Sequence, residues 1–274
     1  MKLPIDTIHL FPGLDRELIM LLRSLKPEDW RKPTLAKKWT VKDIAAHLLD
    51  VNMRTISSFR DGFKNSVAPP NFSYLGLVDY LDQLNKEWVT AMERISPAVL
   101  IELLELTGSQ FHQCLAKLQP FEKALFPVAW AGEAESLNWF HVAREFTEKW
   151  HHQKQIREAV KVDGLMGSDY FVPVIQTFMQ AMPHAYRSVM ANEGSVVSVI
   201  VEGYEELTFH LKKNKLWHFV EQGSPSEVAI NVGADVIWKL LTKGISSEEA
   251  RQRVKTSGLD NLISPFFQMV AVMG

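Results

Sequence analysis

Apolar side chains recur every three or four positions through the first 160 or so residues, and every second position after Gly194. The first spacing lays a stripe along one side of an α-helix and the second lines one face of a β-strand. One chain carrying both regimes in sequence is expected to fold as an all-helical domain followed by an α+β domain. Its 274 residues are enough for one large or two modest domains.

The helical part begins with a first helix over residues 13–25, where Leu14, Leu18, Leu21, Leu22 and Leu25 share a face and Lys26-Pro27 ends it. Residues 39–50, Trp39 to Asp50, open a second, longer helix with Thr40 as N-cap and Asp43 reaching back to it. Capping fits Asp43 better than the alternative of a catalytic base, because an acid suits a helix N-terminus. Val41, Ala45, Leu48, Leu49, Ile56 and Phe59 form the core stripe, and His47 lies away from its middle. A loop at 65–71 contains Pro69-Pro70. Two helices then run to about Ile95, anchored by Leu77, Leu81, Leu84, Trp88 and Met92, and from Ser96-Pro97 to near Leu118. After a loop over 121–132, a long helix is expected from Ala134 to about Val160. The first 163 residues read as a four-helix bundle with an added short helix.

Residues 161–168 break the helical pattern and mark the domain boundary, the second domain running over 168–274. A helix over 169–189, kinked or shortened by Pro173 and Pro183, precedes strands at 196–202, 207–211, 216–220 and 228–232. Turns at 203–206 and 212–215 predict an antiparallel meander. Helices at 234–241, 247–253 and 259–273 are expected to cover one face of that sheet.

Bulk properties narrow the function classes. A formal net charge of −2 leaves no electrostatic footprint for nucleic acid. No apolar run approaches the roughly 20 residues that cross a bilayer, and the N-terminal residues lack the order of a signal peptide. Cys114, the only cysteine, allows neither an internal disulfide nor a thiolate metal cluster and reads as a small buried hydrophobe. The expectation is a cytoplasmic protein acting on a small molecule, without nucleic acid or membrane. Its oligomeric state leaves no trace in the sequence.

The chemistry concentrates on the long helix. His141, Glu145, Glu148 and His152 fall within an arc of about 60° at 100° per residue, opposite Ala143, Phe146 and Trp150. Glu148 and His152 stand four residues apart, so their side chains lie one above the other and could grip one cation given a third ligand. A polar arc is also what a solvated helix face looks like. Spacing alone leaves both readings open, although two of the chain's nine histidines on one arc is unusual for a solvated face.

The stretch Trp39-Thr40-Val41-Lys42-Asp43-Ile44-Ala45-Ala46-His47-Leu48-Leu49-Asp50 resembles the first signature of the mycothiol-dependent maleylpyruvate isomerase family. Its N-terminal domain belongs to the DinB-like metal-binding helical bundles. Residues 148–159, beginning Glu148-Lys149-Trp150-His151-His152, are similar to the second signature, a Glu-x-x-x-His on the last bundle helix. Residues 234–244 and 257–262 resemble the family's C-terminal α+β domain. The resemblance implies metal ligands at His47, Glu148 and His152, with zinc the first choice for mixed nitrogen and oxygen ligation. His151 is excluded by its four-residue partner Thr147, and Glu145 remains the rival carboxylate. Gln155 stands where the family usually has an acid, which removes that acid's role around the metal.

The resemblance also implies a low-molecular-weight thiol as cosubstrate, used by a transferase or isomerase on a small electrophile, with the second domain closing over the metal. The thiol, whether mycothiol, bacillithiol or glutathione, has no signature here. Arg157 is the best-placed arginine near the metal helix and receives no role. The alternatives are a hydrolase using metal-bound water and a non-catalytic, stress-related protein that binds a small ligand on the same scaffold.

Overall fold

A computed structural model describes residues 3–64, 73–221 and 226–273. The loop expected at 65–71 lies outside the described residues. The chain divides into two compact units, one comprising Met1–Phe126, Ser136–Leu165 and Met273–Gly274, the other Pro127–Glu135 and Met166–Val272.

The first unit is built from α1 (Phe11–Ser24), α2 (Val41–Phe59), α3 (Tyr74–Met92), α4 (Pro97–Ala116) and α5 (Asn138–Val160). Helix α2 packs on α3, α4 and α5, and α1 packs on α4 and α5. The core gathers Leu18, Leu22, Ile44, Leu48, Leu100 and Ile156, all buried. Each such aliphatic side chain removed from water stabilises the unit by about 1.5 to 3 kcal/mol. Helix α3 contributes less, since only Gly76 and Met92 are buried on it. It is tied to α2 by Trp88, whose Nε1 donates to the Ala46 carbonyl at 2.8 Å.

The start of α2 has the expected caps. Asp43 N–H donates to Thr40 Oγ1, and Asp43 Oδ2 accepts from the Thr40 backbone at 2.9 Å and its hydroxyl at 2.7 Å. Helix α5 begins at Asn138, four residues later than expected. It ends at Lys161, which takes the left-handed conformation (φ 57°) and donates to the Arg157 and Glu158 carbonyls. Beyond it, Gly164 has φ 136°, and a Cβ there would stand 2.7 Å from the Arg157 guanidinium. Glycine is needed on both counts. Arg157 thereby reaches the Asp163 carbonyl at 2.7 Å and Glu17 at 2.8 Å, a structural tie between α5, α1 and the following loop.

Helix α5 is not a solvated surface helix. Besides Ala143, Phe146 and Trp150, its polar residues His141, Lys149, His152, Gln153 and Arg157 are buried. Neither face of the expected division into apolar and solvated sides is left to water.

In the second unit, α6 (Ser168–Met179) and α7 (Met182–Ala185) replace the single helix expected at 169–189, with Pro183 at the start of α7. The strands are β1 (Val196–Glu202), β2 (Thr208–Asn214), β3 (Leu216–Val220), β4 (Val228–Gly233) and β5 (Lys255–Ser257). Their order is β3-β2-β1-β4-β5. The first three form the expected antiparallel hairpins, but β4 crosses over to pair parallel with β1 instead of continuing beside β3. The sheet is therefore mostly antiparallel with one parallel pair, a correction to the simple meander. Residues 212–214 belong to β2, and the second hairpin turns on Lys215 alone, at φ 58°. Helices α8 (Ala234–Leu241), α9 (Ser247–Arg251) and α10 (Asp260–Phe267) follow. Val197, Val199, Val201, Ile230 and Val232 share one sheet face and are fully buried; α8 packs on β1 and β4, and α10 on β4. Among the described residues, no helix is long and apolar enough to cross a membrane.

Candidate metal centre

The helical unit alone brings His47, Glu148 and His152 together. One ligand atom from each lies within 4.8 Å of the other two. Because α2 and α5 pack against each other, a histidine late in the second turn of α2 meets the two α5 residues that one helical turn stacks. His152 Nε2 stands 3.5 Å from Glu148 Oε2. Two ligands of a tetrahedral zinc with bonds of about 2.0 to 2.1 Å stand roughly 3.4 Å apart, and no pair can exceed about 4.2 Å across one ion. The Glu148–His152 pair already has the tetrahedral spacing, and the widest separation in the set would have to contract by about 1.4 Å to reach it.

A hydrogen bond fixes one of the two imidazoles in ligating form. His152 Nδ1 lies 2.9 Å from Gln155 Oε1, so Nδ1 carries the hydrogen and the Nε2 lone pair is left toward Glu148. A neutral amide thus does here what an acid would do. Burial lowers the His47 pKa well below the ordinary value, helped by His152 and opposed by Glu148, so the ring is neutral. Burial alone would raise the Glu148 pKa, but His151, His152 and His47 outweigh it and hold the carboxyl at about 2. A neutral His47 and an ionised Glu148 are the protonation states a divalent cation requires of these two residues.

Trp39 closes one side. Its ring centroid is 4.8 Å from that of His47 and 5.8 Å from that of His152. The segment before α2 holds it there, with Thr34 N–H donating to the Trp39 carbonyl and Pro33 bridged to Thr40. His151 lies beside His152, ring centroids 4.0 Å apart and tilted by 35°, yet its Nδ1 is bonded to the Thr147 carbonyl at 2.8 Å, and burial first, then His152, lowers its pKa to about 4. It stays outside the ligand group. Glu145, the rival carboxylate, pairs instead with Arg144 at 2.6 Å. His141, fourth of the arc, accepts from Arg144 through Nδ1 at 2.8 Å and stacks on Phe59. The arc thus splits into the Glu148–His152 pair, which joins His47 of α2 in the candidate cluster, and a separate His141–Arg144–Glu145 group. Asp50 and Arg54, paired at 2.9 Å, follow His47 along α2.

Two contributions escaped the sequence reading. Trp39 carries no local signal of its place against the imidazoles, and Gln155, in the position of an acid, still supplies a hydrogen-bond acceptor to His152. Gln155 could have been found, since it lies three residues after His152 and so on the same side of the helix.

Two histidines and a glutamate gathered in a helical unit, with an α+β unit after it in the chain, define a class of scaffold with a candidate metal site. Residues 11–157, more than half of the chain, match the family described as mycothiol maleylpyruvate isomerase N-terminal domain, and the chain belongs to this family. Two solved structures share its fold. The mycothiol-dependent maleylpyruvate isomerase superposes with a TM-score of 0.57 at 13% identity, covering 94% of this chain and 93% of that one. A histidine-to-alanine mutant of a mycothiol-dependent maleylpyruvate isomerase superposes at 0.55 and 12%, covering 91% of each. Comparison with curated protein sequences gives no match.

Proposed function

We propose that this protein is a divalent-metal enzyme, with zinc the first candidate, that uses a low-molecular-weight thiol to isomerise, or to transfer the thiol to, a small unsaturated acid. The observation that carries this reading is the His47–Glu148–His152 cluster, with His47 neutral and Glu148 ionised, in a chain of the mycothiol maleylpyruvate isomerase family. Three protein ligands leave a further position on the ion, as catalytic sites do. When bound, the cation supplies Lewis acidity that turns a thiol into a thiolate near neutral pH.

The chain's own residues prepare that position. Gln155 holds the His152 tautomer, Glu148 brings the one negative charge, and Trp39 excludes water from one side of both imidazoles. Two histidine nitrogens and one carboxylate around a divalent ion would leave one net positive charge, which favours an anionic sulfur. The thiol has to come from outside, because Cys114 is buried on α4 and burial pushes its pKa up. Addition of a thiolate to one alkene carbon makes the double bond single; rotation and elimination of the same thiolate return the isomer and the thiol unchanged.

The family's name points to mycothiol as the thiol and maleylpyruvate as the acid to try first. The test is turnover of maleylpyruvate by zinc-loaded protein with mycothiol, bacillithiol or glutathione, and no thiol. Turnover that needs one thiol supports the reading. Equal turnover without thiol favours a hydrolase, and absence of turnover with every thiol and acid tried overturns thiol chemistry.

A further inference from the structure

Arg54 stands two turns beyond His47 on the same face of α2. Seven residues turn an α-helix by about 700°, within roughly 20° of two full turns, and Asp50 lies between them, one turn beyond His47. Asp50 is buried, and its Oδ2 stands 2.9 Å from Arg54 Nε. A helical side chain leans toward the helix N-terminus. That lean and the Asp50 contact set the guanidinium back toward His47. The charge is felt there: burial lowers the His47 pKa most and Glu148 opposes it, while His152 and then Arg54 add to the lowering.

Helices α2 and α5 run antiparallel along this stretch. His47 meets His152 with ring centroids 4.8 Å apart, and Phe59, later on α2, stacks on His141, earlier on α5. Arg54 therefore flanks the seam that starts at the candidate ligands. Trp39 covers the cluster from the N-terminal end of α2, and Arg54 stands toward the other end.

The guanidinium is held but not used up. Its side chain is 46% exposed, Asp50 is its ion-pair partner, and its terminal nitrogens Nη1 and Nη2 donate to none of the described residues. The arginines of α5 are engaged elsewhere, Arg144 with His141 and Glu145, and Arg157 with Glu17 and the Asp163 carbonyl. A planar fork with its terminal edge open pairs with a carboxylate through two parallel hydrogen bonds.

We infer that Arg54 receives a carboxylate of the substrate, with Asp50 as the positioning residue that aims it. The inference rests on the thiol-dependent reading of the His47–Glu148–His152 cluster proposed above. It also sets a length. Asp50 lies one turn beyond His47, a rise of about 4.5 Å, which a short run of carbon–carbon bonds of about 1.5 Å each spans. The site thus selects an acid whose carboxylate is a few bonds from the carbons that react beside the cluster.

The test is isothermal titration calorimetry of zinc-loaded, full-length protein with maleate, a four-carbon unsaturated diacid, in the absence of any thiol. Dimethyl maleate is the uncharged control. The wild type is expected to bind maleate saturably. Arg54→Gln should weaken that binding at least tenfold and Arg54→Lys should recover part of it, while dimethyl maleate gives the same heats with all three proteins. Zinc content and melting temperature should be the same in the three. Maleate affinity unaltered in Arg54→Gln, no saturable binding of maleate to the wild type, or loss of zinc from Arg54→Gln would overturn the inference. Turnover assays separate it from the reading beneath it. Binding that depends on Arg54 without turnover by any thiol supports the inference and defeats the thiol chemistry. Thiol-dependent turnover with an unchanged KM for the acid in Arg54→Gln overturns the inference and leaves the thiol chemistry standing.

Discussion

His152 and Gln155, one turn apart on α5, share a hydrogen bond of 2.9 Å that leaves the Nε2 lone pair of His152 directed at Glu148. Replacing Gln155 by leucine would leave a buried N–H with no acceptor and release the ring. Metal affinity is expected to fall about 10- to 100-fold, as for other lost outer partners of ligating histidines. Gln155→Glu supplies a stronger acceptor and is expected to bind metal at least as tightly as the wild type. Chelator-competition titrations of the three proteins measure both; equal affinity in Gln155→Leu would show that the hydrogen bond has no part in ligation.

Thr40 and Asp43 fix the start of the helix that carries His47. Thr40→Ala removes the side-chain acceptor at the N-cap and should cost about 1 kcal/mol. Urea denaturation read by far-UV circular dichroism should show a lower midpoint at an unchanged slope. An unchanged midpoint would mean that the cap contributes nothing.

His141 gives a pH signature outside the metal cluster. Burial first, then the neighbouring Arg144, lowers its pKa to about 4, against an opposing pull from Glu145. Its Nδ1 accepts from Arg144, so the ring's hydrogen sits on Nε2. Between pH 6.5 and 4 the unfolded chain takes up a proton there and the folded chain does not, so this site's contribution to stability falls on acidification through that window and changes no further below it. Melting temperatures measured from pH 7 to pH 4 should fall more steeply for the wild type than for His141→Gln. Parallel curves would contradict the assignment.

Much of this structure could be read from residue order. Val196–Glu202 and Leu216–Val220 form strands at the expected residues, β1 because its short β-branched run is buried on both faces. The capping box at Thr40 was legible because it is local. The candidate ligand set was legible only in part. Spacing pairs Glu148 with His152, but His47 is a hundred residues away and enters through the family's signature.

What escaped depends on partners distant in sequence. The alternating residues of β4 allow it to lie beside β3 or β1, and only packing decides for β1. Helix α5 looked half solvated because its residues are polar, yet ion pairs such as Lys149–Asp15 and Arg157–Glu17 let it be buried on several sides. Those partners sit on α1, more than a hundred residues earlier, where no local period can point to them.

Metal content tests the central claim most directly. Protein purified without a histidine tag and saturated with zinc, then freed of unbound ion, should carry about one equivalent per chain by elemental analysis. His47→Ala, folded by circular dichroism, should carry far less. A wild type that retains no metal, or a His47→Ala protein that keeps a full equivalent, would contradict the account.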